Sequence, residues 1–206
     1  MKLSDYTAFP ADIPIVVEDN LFLYPFMISP LFLTDEENIR AANDALDHNS
    51  LVMVCTAKVG NEHGRDFNAI YPAGVIGSIM RKVDLPDGRV KILFQGMQKG
   101  RILKELSTTP LRATVELIQT HHSEPMKVEA TLAVLREKIA QLASLGGQFP
   151  PDLIKTIEDN SDIHRITDLV ASSMKLKKEQ AYKLFIESDD ETRILKLIDY
   201  VIDEIE

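Results

Sequence analysis

The sequence predicts an α+β protein in which a β-rich N-terminal part, residues 1–120, precedes a small α-helical bundle, residues 121–206. In the first part, short runs of β-branched and aromatic residues are separated by turns that contain Gly and Pro, which is typical of strands. After the pair His121-His122 the apolar residues recur about every 3.6 positions, which is the helical period.

The central feature of the β-rich part is an almost wholly apolar run, residues 21–33. It is too short to cross a bilayer, which needs roughly 20 apolar residues. Because proline lacks an amide hydrogen and clashes with the preceding turn, Pro25 and Pro30 exclude one continuous helix. We therefore predict two short strands, Leu21 to Tyr24 and Leu31 to Leu33.

The turn between these two strands, Pro25 to Ile28, is apolar, although turns normally run over the protein surface. Such a turn is either packed under another part of the protein or offered to a partner. We expect Phe26 and Met27 to be the side chains of this run that could contact a partner.

Local signals predict the other elements of the β-rich part. Thr34-Asp35-Glu36-Glu37 has the pattern of a capping box, in which Thr34 caps the first helix. Turn residues at Leu85-Pro86-Asp87-Gly88 predict a hairpin over residues 74–96. The predicted strands are Ile13 to Val17, Leu51 to Ala57, Gly74 to Val83, Val90 to Phe94, Arg101 to Leu106 and Leu111 to Gln119.

The second part predicts a series of amphipathic helices. Ser123 is expected to cap the first of them, and Gly146-Gly147 to end it. Pro150-Pro151 opens a short helix, and a second capping box, Ser188 to Glu191, starts the last one. The last helix has no stop signal before Glu206, which favours a chain cut within a longer helix. The inward positions are Val128, Leu132, Leu135, Ile139, Leu142, Leu153, Ile154, Ile157, Ile163, Ile166, Leu169, Val170, Met174, Ala181, Leu184, Phe185, Ile194, Ile198, Val201 and Ile205.

Composition limits the functional classes. The net charge of −9 argues against a general binder of nucleic acid or anionic membrane, since both need a basic surface. The single cysteine, Cys55, excludes an intrachain disulfide framework and fits a reducing compartment; its apolar context indicates a buried, inert thiol. The N-terminus has no signal-peptide pattern, so we expect a cytoplasmic protein.

Catalytic and cofactor motifs are absent from the sequence. It contains no phosphate-binding loop, no dinucleotide fingerprint, no nucleophile elbow and no H-E-x-x-H zinc motif. His121 and His122 would point to opposite faces of a strand and would not chelate one metal. We therefore expect no catalytic, cofactor or metal site in this chain.

Apolar residues at predicted turns are the remaining functional candidates. Taken singly, each is more often ordinary packing, but several of them at turns of one domain favour a binding role. Met and Phe adapt to many shapes, which suits a surface that binds varied apolar segments. A run of basic residues, Arg81 to Lys104, could be a nucleic-acid face, but its alternation with apolar residues favours the solvent side of a sheet. The candidate binding residues are Phe26, Met27, Leu85, Pro86, Met97 and Phe149.

Four motifs in order resemble the N-terminal domain of the ATP-dependent Lon protease family. They are Pro25-Phe26-Met27-Ile28-Ser29-Pro30-Leu31-Phe32-Leu33, Gly74-Val75-Ile76-Gly77-Ser78-Ile79, Leu85-Pro86-Asp87-Gly88 and Gly96-Met97-Gln98-Lys99-Gly100-Arg101-Ile102. The resemblance implies a PUA-like antiparallel β-barrel with one or two helices, followed by a helical bundle. It also implies that the ATPase module, with its ATP and Mg, and a serine protease module lie beyond residue 206.

The resemblance implies a substrate-recognition and assembly module rather than an enzyme. Such a module would bind unfolded or damaged proteins for protein quality control. Its other partners would be its own ATPase and protease domains and further copies in a homohexamer. Two alternatives remain open at this point: a PUA-like RNA-binding module, and a domain that serves oligomerisation only.

Overall fold

The computed structural model of the chain describes residues 12–146 and 149–206. These residues form two compact units, one that ends at Ile118 and one from Gln119 to Glu206. The first unit holds all the named strands and the second holds five of the helices, so the predicted α+β class is confirmed. Gly147, half of the predicted helix stop, lies outside the described residues.

From residue 12 onward, the first unit contains six strands, one α-helix and a short 3-10 helix at Phe67–Ala69. The predicted hairpin is confirmed: Leu85 and Arg89 are joined by a 2.9 Å backbone hydrogen bond at its turn. The elements are β1 (Ile13–Glu18), β2 (Ile28–Leu33), α1 (Glu36–Leu46), β3 (Leu51–Ala57), β4 (Ile70–Asp84), β5 (Val90–Thr108) and β6 (Leu111–Leu117).

The strands are hydrogen-bonded in the order β2-β5-β4-β3-β1-β6, and β5 also pairs with β6. The sheet therefore closes through the second half of β5, while β2 remains an edge strand on its first half. The prediction of an antiparallel barrel is wrong for one pair, because β1 and β3 run parallel. A parallel pair needs a long crossover, and here the connection contains both β2 and α1.

The closed sheet surrounds an apolar core. Its fully buried members include Ile15, Met53 and Ile76, and Met97 packs against them while partly exposed. Cys55 belongs to the same core, and burial raises the pKa of its thiol far above the usual value. This burial makes the thiol an inert packing group.

Two of the predicted strands differ in the structure. Leu21 to Tyr24 is not a strand: Thr56 donates its hydroxyl to the Leu21 carbonyl (2.8 Å) and Glu18 accepts from the Leu21 amide, so side chains replace a strand partner. The strands predicted at Val90 to Phe94 and Arg101 to Leu106 are one strand, β5. Between the two predicted strands, β-bulges accommodate residues that break the alternation, so β5 continues through this segment.

The second unit is helical and its apolar faces follow the predicted period. Val128, Leu135 and Leu142 of α2 are all buried, as predicted. Ser123 does not cap this helix; its hydroxyl donates to Asp189 (2.7 Å), and Pro125 at the first turn has no amide to satisfy. The helices are α2 (Pro125–Ser144), α3 (Pro151–Asp159), α4 (Ile163–Ser173), α5 (Lys178–Ile186) and α6 (Asp190–Ile205). Within residues 12–146 and 149–206, no helix combines the length and hydropathy that a membrane span requires.

Candidate functional site

The edge strand β2 divides its side chains between the core and the solvent. Leu31 and Leu33 are buried, whereas Ile28 and Phe32 are 54% and 52% exposed. Pro30, between them, is also exposed. Because side chains alternate along a strand, these three form one row on the outer face of the sheet. The row is entirely apolar.

The neighbouring strands extend this row into a surface. Phe32, Pro30 and Ile28 lie opposite Lys91, Leu93 and Gln95 of β5, and Leu93 lies opposite Arg81 of β4. Directly paired residues point to the same side of a sheet. Met80, at a bulge beside Arg81, is 52% exposed. We call this surface the β2 face, formed by Ile28, Pro30, Phe32, Met80, Arg81, Lys91, Leu93 and Gln95.

The charge on the β2 face is positive. Lys91 Nζ lies 5.7 Å, and the Arg89 guanidinium 5.5 Å, from the centroid of the Phe32 ring, within the range of a cation–π interaction. The amide and guanidinium of Arg89 both bond to Asp87 at the hairpin tip, which lowers the pKa of Asp87. None of the residues that define the β2 face is acidic, so the surface combines apolar side chains with cations.

The turn before β2 is fixed in an unusual backbone conformation. Phe26 is 49% exposed and has a φ of 64°, in the left-handed region that favours glycine. Its amide donates to the Gly96 carbonyl (2.9 Å), while the Gly96 amide donates to the Met27 carbonyl (2.9 Å). A Cβ at Gly96 would lie 2.5 Å from the Tyr24 carbonyl oxygen, so this close docking requires glycine.

The structure brings only part of the predicted set together. Phe26 and half-buried Met27 directly precede β2 and so adjoin the β2 face. Pro86 is exposed and Leu85 half-buried at the hairpin tip, beyond the opposite end of β2. The Ile28 and Leu33 ends of β2 are about 17 Å apart. These four predicted residues therefore lie in two separate regions, one at each end of β2.

Two predicted contacts do not have the expected exposure. Phe149 is only 5% exposed, so the expectation of an exposed side chain is wrong. It directly precedes Pro150, the N-cap of α3, where an apolar residue commonly packs back onto the helix. Met97 is half-buried, because a bulge in β5 turns it toward the core of the first unit.

Sequence reasoning missed Ile28, Pro30 and Phe32. It treated residues 31–33 as one core segment, although Phe32 is exposed between two buried leucines. The run is apolar at nearly every position, so no period of two distinguishes its two faces. The signal that was available is Pro30, because proline within a strand indicates an edge strand.

Three cations of the basic run on β4 and β5 are paired with carboxylates. Lys82 pairs with Asp84 at 3.2 Å and Arg101 with Glu116 at 3.8 Å. Together with the pair between Arg89 and Asp87, this pattern is that of a solvated sheet surface.

Two cavities carry polar groups. One, of about 330 Å³ in the first unit, holds Arg65, which pairs with Asp19 (2.9 Å) and Asp35 (3.1 Å). Burial would raise the pKa of Asp19, but the bonds from Arg65 lower it overall. The other, of about 590 Å³ in the second unit, includes His122 beside Asp190 (2.8 Å). In the part of the chain that the structure describes, no cluster of three or more His, Cys, Asp or Glu side chains has metal-binding geometry.

Comparison with known proteins points to one family. The chain is 51% identical, over its full length, to the Lon protease of Campylobacter concisus, and 48% identical to that of Campylobacter jejuni. It spans about a quarter of these relatives, 26% in each case. The N-terminal domain of Mycobacterium avium complex Lon protease has the same fold, with a TM-score of 0.75 at 18% identity, covering 93% of this chain and 98% of that one.

A family defined by its sequence pattern, ATP-dependent protease La (LON) substrate-binding domain, matches residues 12–203. This match covers both compact units and nearly the whole chain. The chain therefore belongs to the family of LON substrate-binding domains.

Proposed function

We propose that this chain captures unfolded or damaged polypeptides on the β2 face and presents them to the ATPase and serine protease modules of a Lon protease. The observation that carries the proposal is the exposed apolar row on β2, Ile28, Pro30 and Phe32. Burying apolar surface contributes about 25 cal/mol per Å², so several half-exposed side chains together give moderate, sequence-tolerant affinity. Such affinity suits a domain that must hold many different substrates and release them.

The predicted contacts fit this proposal to different degrees. Phe26 and Met27 lengthen the row at one end of β2, and Leu85 and Pro86 offer a second contact at the other end. Met97 contributes only its exposed part, and Phe149 is removed from the binding set because its side chain is buried. The wider function is protein quality control in the cytoplasm, with ATP and Mg bound in the ATPase module and further copies completing a hexamer.

The alternative of an RNA-binding module is less well supported. Three cations of the basic run, Lys82, Arg89 and Arg101, already have carboxylate partners. Neutralising phosphates would require these pairs to break, on a chain whose net charge is −9. A domain that serves assembly only would bury the same row against another copy, so binding of an unfolded protein is the property that separates the two functions.

The test is a double substitution of Ile28→Ser and Phe32→Ser. We expect fluorescence anisotropy with a labelled, permanently unfolded protein to show binding weakened roughly tenfold or more. Circular dichroism checks that the fold is intact. Val59→Ser is the matched control, since Val59 is 61% exposed in the first unit but outside the β2 face. Unchanged affinity in a folded double variant would exclude the β2 face from substrate binding.

A further inference from the structure

The backbone of β2 has an open edge. Within the described residues β2 pairs only with β5. In an antiparallel pair of strands, every second residue forms backbone hydrogen bonds with the partner strand. The hydrogen bonds of Phe26 and Met27 with Gly96 fix this alternation, so Ser29, Leu31 and Leu33 are the residues of β2 that bond to β5. The backbone groups of the intervening residues therefore point away from the sheet.

The open edge still offers hydrogen-bonding groups. Pro30 has no amide hydrogen, which explains how a proline is tolerated within this strand. The amides of Ile28 and Phe32 remain as donors, and the carbonyls of all three edge residues remain as acceptors. This arrangement matches one further strand, whose side chains would fall beside the exposed row at the same period of two.

The charge of the β2 face determines which segments would bind well as such a strand. The Arg89 guanidinium and Lys91 Nζ lie 5.5 Å and 5.7 Å from the centroid of the Phe32 ring, and Arg81 lies further along the face. Because Arg89 is paired with Asp87, Lys91 and Arg81 are the cations that the β2 face itself contributes. Because the β2 face carries apolar groups and cations, its complement is an apolar segment that carries an acidic residue. A base-stacking partner fits less well, since the surface around Phe32 is aliphatic and not aromatic.

We propose that the substrate segment binds in an extended conformation, as an additional strand on the open edge of β2, with an acidic residue beside Lys91. Its apolar side chains alternate along the row of Ile28, Pro30 and Phe32. This inference rests on the proposed function, and it adds the conformation and the charge preference of the bound segment.

The first experiment uses labelled ten-residue peptides with apolar residues at alternate positions and one Glu near either end. Gln and Lys versions of each peptide are the comparison. Measured by anisotropy at low salt, the Glu peptide should bind the 206-residue chain about two- to fivefold tighter than the Gln peptide. Lys91→Gln should remove this preference, whereas Lys104→Gln, an exposed lysine on the second half of β5, should keep it.

The second experiment tests the added strand directly. N-methylation of alternate amides is placed on one set of peptide positions or on the other set. Only one set can face β2, so one methylated peptide should lose about fivefold or more in affinity and the other should lose little. This asymmetry is specific to backbone pairing, because both peptides carry the same side chains.

The outcomes separate the two proposals. Equal binding of the Glu and Gln peptides, or equal effects of the two methylation patterns, overturns the proposal of an added strand. The proposed function still stands in that case if Ile28→Ser with Phe32→Ser weakens binding of the unfolded protein. No change in that double variant overturns both. Displacement of the peptide by an oligoribonucleotide, dependent on Lys91, would assign the face to RNA instead.

Discussion

Arg193 on α6 and Asp168 on α4 form an ion pair inside the second unit, with side chains 0% and 5% exposed. The Arg193 Nε also donates to the Thr167 hydroxyl at 2.6 Å, and its guanidinium donates to the Leu184 carbonyl near the end of α5. One side chain therefore joins three helices. Because each of the three guanidinium nitrogens bonds to an acceptor, and one of these acceptors is a carboxylate, the buried charge is compensated within the fold.

Removing one partner should unfold the second unit at a much lower denaturant concentration. Asp168→Asn leaves the Arg193 charge buried without its counterion, and we expect a loss of about 3–5 kcal/mol in the free energy of unfolding. Urea denaturation followed by circular dichroism measures it. Glu36→Gln is the control: it breaks an exposed pair with Arg40 (2.7 Å) and should cost at most about 1 kcal/mol. A loss of similar size in both variants would contradict this account.

The sequence predicts the helices of this unit but not the buried arginine. Ile194, Ile198 and Val201 mark the inner face of α6, and Arg193 lies one residue before that row. A charged residue beside an apolar stripe normally reaches solvent. Its burial depends on Asp168, 25 residues earlier in the chain, and helical periodicity carries no information about such a partner.

Both predicted capping boxes are displaced by one residue. Thr34 and Ser188 fit the cap pattern, yet the side chains that accept the helical amides are those of Asp35 and Asp189. Local preference barely separates Ser, Thr and Asp at this position. The choice comes from distant contacts, because Arg65 lies 3.1 Å from Asp35 and the Ser123 hydroxyl 2.7 Å from Asp189.

Substitution at adjacent positions tests which residue caps α1. Asp35→Ala removes the bond to the Asn38 amide (2.9 Å) and the ion pair to Arg65, so we expect a loss of about 1–2 kcal/mol in stability. Thr34→Ala should change stability by less than about 0.5 kcal/mol, because Thr34 is exposed and outside the helix. Thermal melting of the two variants gives the comparison. A larger loss for Thr34→Ala would show that Thr34, and not Asp35, caps α1.

The cap of α6 predicts a dependence on pH. The Thr192 amide and the Ser123 hydroxyl bond to the Asp189 carboxylate and lower its pKa below the ordinary value. A lowered pKa in the folded state means that the unfolded chain binds the proton more readily. The stabilisation is therefore complete above the ordinary carboxyl pKa of 3.8 and is lost as the pH falls through the lower folded value.

Asp189→Asn should flatten this acid-induced loss. Asn also caps helices, so the variant should melt near the wild-type temperature at pH 7. Between about pH 5 and pH 2.5 its melting temperature should fall less than that of the wild type. Asp19 and Asp87 also have lowered pKa values, and their causes do not involve Asp189, so they titrate alike in both proteins. The pKa of Glu187 depends partly on the Asp189 charge, so the difference between the two profiles reports Asp189 together with this neighbour. Parallel profiles would exclude Asp189 as a source of acid sensitivity.

The binding surface could be located from the sequence but not resolved into its residues. The apolar run indicates the segment, and Phe26 lies at its exposed turn. Which residues of β2 face outward depends on the register between β2 and β5, and that register is set by the bulge at Gly96. A one-residue shift would exchange Leu31 for Phe32 on the surface.

Phe26 combines exposure with an unfavourable backbone conformation, and this combination gives a final prediction. A non-glycine residue at a φ of 64° costs about 1–2 kcal/mol relative to glycine. Phe26→Gly should therefore be about 1 kcal/mol more stable than Phe26→Ala, although neither keeps the aromatic ring. Urea denaturation measures the free energy of unfolding of each variant. Because their side chains differ by a single methyl group, the difference between them reports the cost of the backbone conformation.

Both variants should bind an unfolded protein more weakly than the wild type, and by a similar factor, since each removes the same exposed ring. Stability and binding would then depend on different properties of position 26. Glycine removes the backbone strain and so increases stability, whereas only the Phe ring provides the contact with the bound protein. Conformational strain held at an exposed side chain is characteristic of functional surfaces. Wild-type affinity in both variants would show that the ring serves packing alone, and the binding row would then begin at Ile28.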